Sequence, residues 1–292
     1  RTEYWAPWGT CGSPGVARVL FIHGLGESSR CFEAMLERPE LASWRLVMPD
    51  LPGYGRTPVG SAPLTLTEQA DWLADWLADR LTDNRTDSPT DNRTDSRTDA
   101  SPAQATGPVT VLGHSMGGVV ALLLAERHPA LVAGLVDVDG NKSPDDCVFS
   151  GRAVEYTRED FRSRGFATLR EIVRQRGLQD PAQAGYHRSL LLADAATYHL
   201  NSAELVEMSA RQDLAARLAA LSVPAVYFAG VPGGASPRTH ELLAQAGVAK
   251  IDIEPSGHWP FIDQPDRFCA ELRRWLRDRK STRLNSSHRL RS

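Results

Sequence analysis

The chain has 292 residues, enough for one large domain with a sizeable core, and its 41% hydrophobic and 24% charged residues are ordinary for a globular protein. Its net charge of -3 gives no electrostatic basis for binding nucleic acid or a membrane surface, and no apolar run approaches the roughly 20 residues that span a bilayer. The four cysteines lack the short spacings of a zinc site or a redox pair, which favours idle thiols in a reducing cytoplasm.

The two ends of the chain look like those of a gene fragment. The chain begins at Arg1 rather than Met. We expect a cytoplasmic location, with a signal peptide ahead of Arg1 as the alternative. Residues 278–292, with the run Lys280-Ser-Thr-Arg-Leu-Asn-Ser-Ser-His288, resemble one translated frame of a sequencing-library adapter. We therefore predict a non-native tail from residue 278, outside the folded domain.

The first strand signal is the run from Val16 to Ile22. It enters a loop of small residues, His23-Gly24-Leu25-Gly26, where the backbone can turn an amide into the space above a sheet. Residues Cys31 to Leu36 suit a helix. Arg45 to Met48 predicts a second buried strand, and the following Pro- and Gly-rich turn carries Asp50, which we expect to brace the loop.

A helix and an unusual repeat follow. Apolar residues keep helical spacing from Leu66 to Leu81, with Thr65 or Thr67 as the N-cap. Residues 82–107 then begin with the four-residue repeat Thr82-Asp-Asn-Arg, which has no apolar side chain until Ala100. Such a segment cannot bury surface to offset its ordering entropy, so we expect a disordered surface insert.

The strongest local signal is Gly113-His114-Ser115-Met116-Gly117-Gly118. It lies between a buried-strand run, Val109 to Leu112, and a helix that is apolar on nearly all sides, Val119 to Ala125. G-x-S-x-G in this setting is typical of a strained strand-to-helix turn that lifts the serine hydroxyl clear of the sheet. The positive end of the helix lies beside that hydroxyl and favours an anionic intermediate.

In the second half of the chain, a charged segment without strand signals separates one predicted strand from a further series of alternating strands and helices. Leu131 to Val138 predicts a strand that ends at Asp139. Residues 142–212 carry many charges and no convincing buried strand, which indicates an inserted helical lid. The core elements then resume, so we assign residues 1–141 and 213–277 to one core domain. The remaining elements are helical segments at Phe166–Arg176, Tyr186–Met208 and Leu214–Leu221, strands at Ala225–Ala229 and Lys250–Ile253, a loop at Gly230–Pro237, and helices at about 238–246 and at Pro265–Arg277.

This alternation predicts an α/β fold with a mostly parallel, doubly wound sheet and its chemistry at the carboxyl ends of the strands. Leu25, Ser115, Asp139 and His258 all follow predicted strands. Over residues 16–277 the sequence resembles the α/β-hydrolase superfamily. The matching pieces are His23-Gly24-Leu25-Gly26, Asp50-Leu51-Pro52-Gly53-Tyr54-Gly55, Gly113-His114-Ser115-Met116-Gly117-Gly118 and Gly257-His258-Trp259.

The resemblance implies a nucleophile, an acid and a histidine in that order, which fits Ser115 and His258. A serine hydroxyl needs a base to take its proton during attack, and His258 would later protonate the leaving group. The backbone amides of Leu25 and Met116 would form the oxyanion hole. His23 and His114 occupy positions that the family uses to brace the turn.

The acid departs from the commonest family pattern. The loop after Ala229, from Gly230 to Thr239, contains no Asp or Glu. Asp139 follows the strand after the nucleophile helix and is similar in position to the acid of haloalkane dehalogenases, so we predict Asp139. The alternatives are Asp137, then Asp252 and Glu254 beside His258, and Glu241 in the next helix.

A serine nucleophile points to acyl chemistry, because the dehalogenases and epoxide hydrolases of this superfamily use aspartate there. We expect a carboxylesterase-type serine hydrolase that forms an acyl-enzyme with a small or medium apolar acyl substrate. The alternatives are a carbon–carbon hydrolase or lactonase, and a hydrolase-fold ligand-binding protein with little turnover. No cofactor or metal is implied, and we expect a monomer or homodimer with no nucleic-acid or membrane partner.

Overall fold

The computed structural model of the chain describes residues 17–82 and 107–289, and side chains outside 80–82 and 279–289 within those ranges. The predicted repeat insert therefore lies outside the described residues apart from Thr82 and Gly107. Among the described helices, none is both long enough and apolar enough to cross a membrane.

The core of the fold is a six-stranded sheet with the order β2-β1-β3-β4-β5-β6, and all its strand pairs are parallel. This confirms the predicted α/β class. Strands β1, β3 and β4 are buried almost throughout, as expected for strands covered on both faces. The strands are β1 Arg18–Ile22, β2 Arg45–Val47, β3 Val109–His114, β4 Val132–Val138, β5 Ala225–Gly233 and β6 Lys250–Gly257.

Helices cover both faces of this sheet. The α-helices are α1 Leu66–Thr82, α2 Met116–Arg127, α3 Val148–Val154, α4 Arg158–Asp160, α5 Phe166–Arg176, α6 Pro181–Leu190, α7 Ala195–Ala210, α8 Leu214–Ala219, α9 Pro237–Ala246, α10 Pro260–Asp263 and α11 Pro265–Arg289. A π-helical turn, Phe161–Gly165, joins α4 to α5. Short 3₁₀ helices lie at Ser29–Met35, Pro39–Leu41, Pro129–Leu131 and Pro144–Asp146.

The connections place these helices on opposite faces. Chain segments that lead from β2 towards β6 run in one direction across the sheet, and their helices α1, α2, α8 and α9 contact one another in sequence. The segment from β1 to β2 runs the other way, and its 3₁₀ helices contact α10 and α11. The direction of winding thus reverses between β1 and β3, and a crevice opens there at the carboxyl ends of the strands.

Residues 142–212, here called the helical insertion, contain helices but no strand. The predicted long helix from Tyr186 to Met208 is wrong in one respect, because α6 ends at Leu190 and α7 begins at Ala195. Asp194 explains the break: its carboxylate accepts the backbone N–H of Thr197 and caps α7. The insertion packs over the crevice, and Tyr186 and Tyr198 are buried.

Several element boundaries differ from the sequence prediction. Strands β5 and β6 run four residues past Ala229 and Ile253, so the predicted loops after them begin as paired strand, with Gly233 opposite Gly257. Backbone pairing continues there through segments rich in Gly, Pro and polar residues, with Val231 as the one apolar side chain apart from the prolines, which is why composition did not reveal it. The predicted helix at Cys31–Leu36 is a 3₁₀ helix, and α11 continues beyond Arg277 to Arg289.

Candidate active site

Ser115 occupies a strained turn between β3 and α2. Its backbone has φ 54° and ψ -123°, a region that residues with a side chain rarely adopt. The turn is held because the Ser115 N–H donates to Val138 O at 2.9 Å, and the Gly118 N–H donates to Ser115 O at 2.8 Å. A Cβ on Gly117 would lie 2.2 Å from Ile22 O, so only glycine lets α2 approach β1 this closely.

A pocket above the crevice is lined in part by Ser115. Two other predicted site residues, Leu25 and His258, line the same pocket, and Met116 is fully buried at the start of α2. The structure therefore brings the predicted nucleophile, base and one oxyanion residue to one place. The apolar wall consists of Leu25, Phe149, Tyr186, Leu205 and Trp259, three of them from the helical insertion.

Asp139 follows β4 and faces the imidazole of His258. Its Oδ2 lies 4.0 Å from His258 Nδ1, which is longer than a direct hydrogen bond. The carboxylate instead accepts backbone N–H groups of Gly230 at 3.1 Å and Ala235 at 3.1 Å. A Cβ on Gly234 would lie 2.3 Å from Asp139 Oδ2, so the acid-free loop after β5 is shaped to wrap around a carboxylate from β4.

Three of the four alternative acids are engaged elsewhere, and Glu241 pairs with Arg238 in α9. Asp137 Oδ2 lies 2.7 Å from Lys142 Nζ in an ion pair whose side chains are both 0% exposed. Asp252 pairs with Lys250 at the surface, and Glu254 is exposed on β6. Lys142 also donates to the carbonyls of Gly140 and Asn141, so it fixes the turn that follows Asp139.

The Lys142→Met variant is expected to lose about 3–5 kcal/mol of unfolding free energy, because Asp137 would be left as an uncompensated buried carboxylate. Urea unfolding of both proteins measures this loss. The matched control is Lys250→Met, which breaks an ion pair with Asp252 whose side chains are 31% and 44% exposed. It should lose no more than about 1 kcal/mol. Equal losses of unfolding free energy in the two variants would contradict the prediction that the buried pair stabilises the fold more than the exposed pair does.

The electrostatics of the site favour a neutral His258. Burial, and then the neighbouring His114 ring, lower the pKa of His258 below its ordinary value. A neutral imidazole is the form that can take a proton. Burial raises the pKa of the Asp139 carboxyl, and the N–H groups of Gly230 and Ala235 oppose that change.

Two charged residues at the site were missed by the sequence analysis. Glu27 lies in the loop after β1, is 2% exposed and lines the pocket. Asp146 also lines the pocket, where its carboxylate accepts hydrogen bonds from Lys142 N, Ser236 N and Thr239 Oγ1. Glu27 directly follows the motif His23-Gly24-Leu25-Gly26, but a single carboxylate in a loop carries no local signal of burial. Among residues 17–82 and 107–289, no group of three His, Cys, Asp or Glu side chains could hold a metal ion.

Comparison with known proteins agrees with this architecture. A pimeloyl-[acyl-carrier protein] methyl ester esterase of Edwardsiella ictaluri (strain 93-146) is 28% identical over 286 residues, which cover 91% of this chain and 95% of that protein. The structure of a thermophilic esterase from Thermogutta terrifontis superposes with a TM-score of 0.68 at 24% identity, over 90% of each chain. The enol-lactonase from Burkholderia xenovorans LB400 gives 0.65 at 20% identity, over 89% of this chain and 91% of that one. The profile of the alpha/beta hydrolase family matches residues 19–271, and the chain belongs to that family.

Proposed function

We propose that this hydrolase cleaves carboxylic esters through an acyl-enzyme formed on Ser115. The observation that carries the proposal is the strained serine at the crevice, which shares a pocket with His258, whose Nδ1 faces the buried Asp139. The esterase of Edwardsiella ictaluri, which acts on a methyl ester, supports the reaction class. The proposal includes a catalytic triad of Ser115, Asp139 and His258 and an oxyanion hole formed by the backbone N–H groups of Leu25 and Met116.

In the first half of the reaction, His258 Nε2 takes the hydroxyl proton as Ser115 Oγ attacks the ester carbonyl carbon. The carbonyl π electrons move to oxygen, and the backbone N–H groups of Leu25 and Met116 stabilise that oxyanion. His258 then gives the proton to the leaving alcohol as the carbon–oxygen bond breaks. Asp139 stabilises the transient imidazolium from the buried side of the site.

In the second half, a water molecule takes the place of the alcohol. His258 accepts a proton from the water, whose oxygen attacks the acyl carbon. The same amides stabilise the second oxyanion. Collapse of this intermediate returns the proton to Ser115 and releases the carboxylic acid, so no redox step or cofactor is needed.

The helical insertion acts in this proposal as a lid that selects the acyl or alcohol group. Phe149, Tyr186 and Leu205 from the insertion line the same pocket as Ser115. These side chains favour an apolar group, because they make one wall of the pocket hydrophobic. Asp146, which also lines the pocket and whose pKa is held below the ordinary value by its hydrogen bonds despite burial, disfavours a carboxylate on the bound group.

A fluorophosphonate probe and a substrate panel test the proposal. The probe should label the protein rapidly at neutral pH, with the added mass on the peptide that contains Ser115, because only an activated serine reacts quickly. Short-chain p-nitrophenyl esters should be hydrolysed faster than lactones or β-diketones. Slow labelling together with tight binding of an uncleaved ester would support a ligand-binding protein instead and overturn the proposal.

A further inference from the structure

His114 precedes the nucleophile and is fully buried beneath the site. Its Nδ1 lies 2.9 Å from Glu27 Oε2, and its Nε2 lies 2.8 Å from the backbone carbonyl oxygen of His258. A carbonyl oxygen can only accept, so Nε2 carries a proton. The charge of the ring is therefore decided by whether Glu27 is ionised.

The surroundings of Glu27 favour the carboxylate. The Gly24 N–H donates to Oε2 at 2.7 Å, and the Trp259 indole N–H donates to Oε1 at 2.5 Å, so both oxygens already accept hydrogen bonds. Burial opposes ionisation, but hydrogen bonds from N–H donors to both carboxyl oxygens favour the charged form. An ionised Glu27 requires that Nδ1 of His114 also donates, which makes the ring an imidazolium.

His23 shows the opposite arrangement in the same part of the fold. The Leu51 N–H donates to His23 Nε2 at 3.0 Å, so that nitrogen is an acceptor, and His23 Nδ1 donates to Gly24 O at 2.9 Å. One donor and one acceptor define a neutral imidazole. The two buried histidines therefore hold different charge states because of their partners.

We infer that Glu27 and His114 form a buried ion pair that holds His258 in position and keeps its imidazole in the neutral, proton-accepting form. The two rings of His114 and His258 lie with their centres 4.8 Å apart, so the positive ring disfavours a second positive charge. The inference rests on the proposed function, in which His258 is the base. Glu27 and His114 are positioning residues because they act through His258 and Gly24.

Four ionisable groups surround His258 and determine whether its pKa rises or falls when the ion pair is removed. Asp139 faces it from the end of β4, Asp146 from the helical insertion and Glu27 from the loop after β1. Glu27 and Asp146 favour the protonated form, whereas His114, from the end of β3, favours the neutral form. Because His114 is the neighbour in ring contact, loss of its charge should raise the pKa of His258 even when the charge of Glu27 is lost with it.

The Glu27→Gln variant tests this inference through the pH dependence of kcat/KM. A glutamine cannot hold the imidazolium, so His114 should become neutral. The acid limb of the profile should then move up by about one pH unit, with about tenfold lower activity below the limb and a smaller change above pH 8. The matched control is Glu33→Gln, the same change at an exposed site in the following 3₁₀ helix, which should leave the limb in place.

A second measurement needs no variant and no activity. The ¹⁵N resonances of the His114 ring in the wild-type protein should show both nitrogens protonated at neutral pH, while His23 should show one protonated and one bare nitrogen. A neutral His114 would overturn the inference whatever the enzyme does. An unshifted acid limb in an active, folded Glu27→Gln variant would also overturn it. Failure of the wild type to react with esters or the fluorophosphonate probe would count against the proposed function alone.

Discussion

The Ser115→Ala variant is expected to lose ester hydrolysis almost completely, with kcat reduced by about 10⁶-fold, as when the nucleophile of a serine protease is removed. The methyl group of alanine cannot form the acyl-enzyme. Activity that remains would come from binding and the oxyanion hole. Steady-state kinetics with a p-nitrophenyl ester measures the loss.

Two controls separate a chemical effect from a folding effect. Ser115→Ala removes one hydroxyl from a turn held by backbone hydrogen bonds, so its melting temperature should stay close to that of the wild type. His258→Ala should reduce kcat to a similar degree, because nucleophile and base act as one unit. A variant at either position that keeps several per cent of wild-type kcat would show that the pair is wrongly assigned.

The Asp139→Asn variant should lower kcat by about 10⁴-fold, the effect of the same change in a serine protease. A carboxylate opposite Nδ1 favours the tautomer whose Nε2 can accept the proton of Ser115, whereas an amide can donate to Nδ1 and hold the wrong tautomer. If Asp139 is the acid of this site, the 4.0 Å separation requires the imidazole and Asp139 to draw closer during the reaction. The pH profile of kcat/KM and single-turnover acylation measure the effect.

Asp252→Asn is the matched control, because it makes the same chemical change at a surface carboxylate whose partner is Lys250. It should change kcat by less than about threefold, in keeping with the small energy of an exposed ion pair. Asp146→Asn tests the other carboxylate that lines the pocket. If Asp146→Asn removed activity and Asp139→Asn kept it, the acid would have to be reassigned to Asp146.

The parts of this protein that depend on neighbours in sequence were open to prediction. The strand, tight turn and buried helix around Ser115 are coded within about twenty residues, because the alternation of apolar runs and glycines sets local backbone geometry. The same holds for the parallel sheet, which follows from alternating strands and helices. The family assignment, made from four short motifs, is confirmed by a match over residues 19–271.

The limits of the prediction lie where pairing or burial depends on distant residues. The extensions of β5 and β6 are Gly-Val-Pro-Gly and Glu-Pro-Ser-Gly, which lack the apolar run of a buried strand, yet backbone hydrogen bonds continue them to Gly233 and Gly257. That extension sets where the loop around Asp139 begins and where His258 leaves the sheet. Because this extension is not visible in the sequence, the sequence alone left several candidates for the acidic residue that faces His258.

By itself the sequence determined the fold class, the position of the strained serine and the order of the candidate catalytic groups, because each depends on local periodicity and turn chemistry. Only the tertiary structure decided which carboxylates face which histidines. Glu27 meets His114 across 87 residues and Trp259 across 232 residues, and the charge on His114 follows from partners that no window of sequence contains. A buried charge is stabilised by the donors and acceptors that the fold places around it, so its state is a property of the packed molecule.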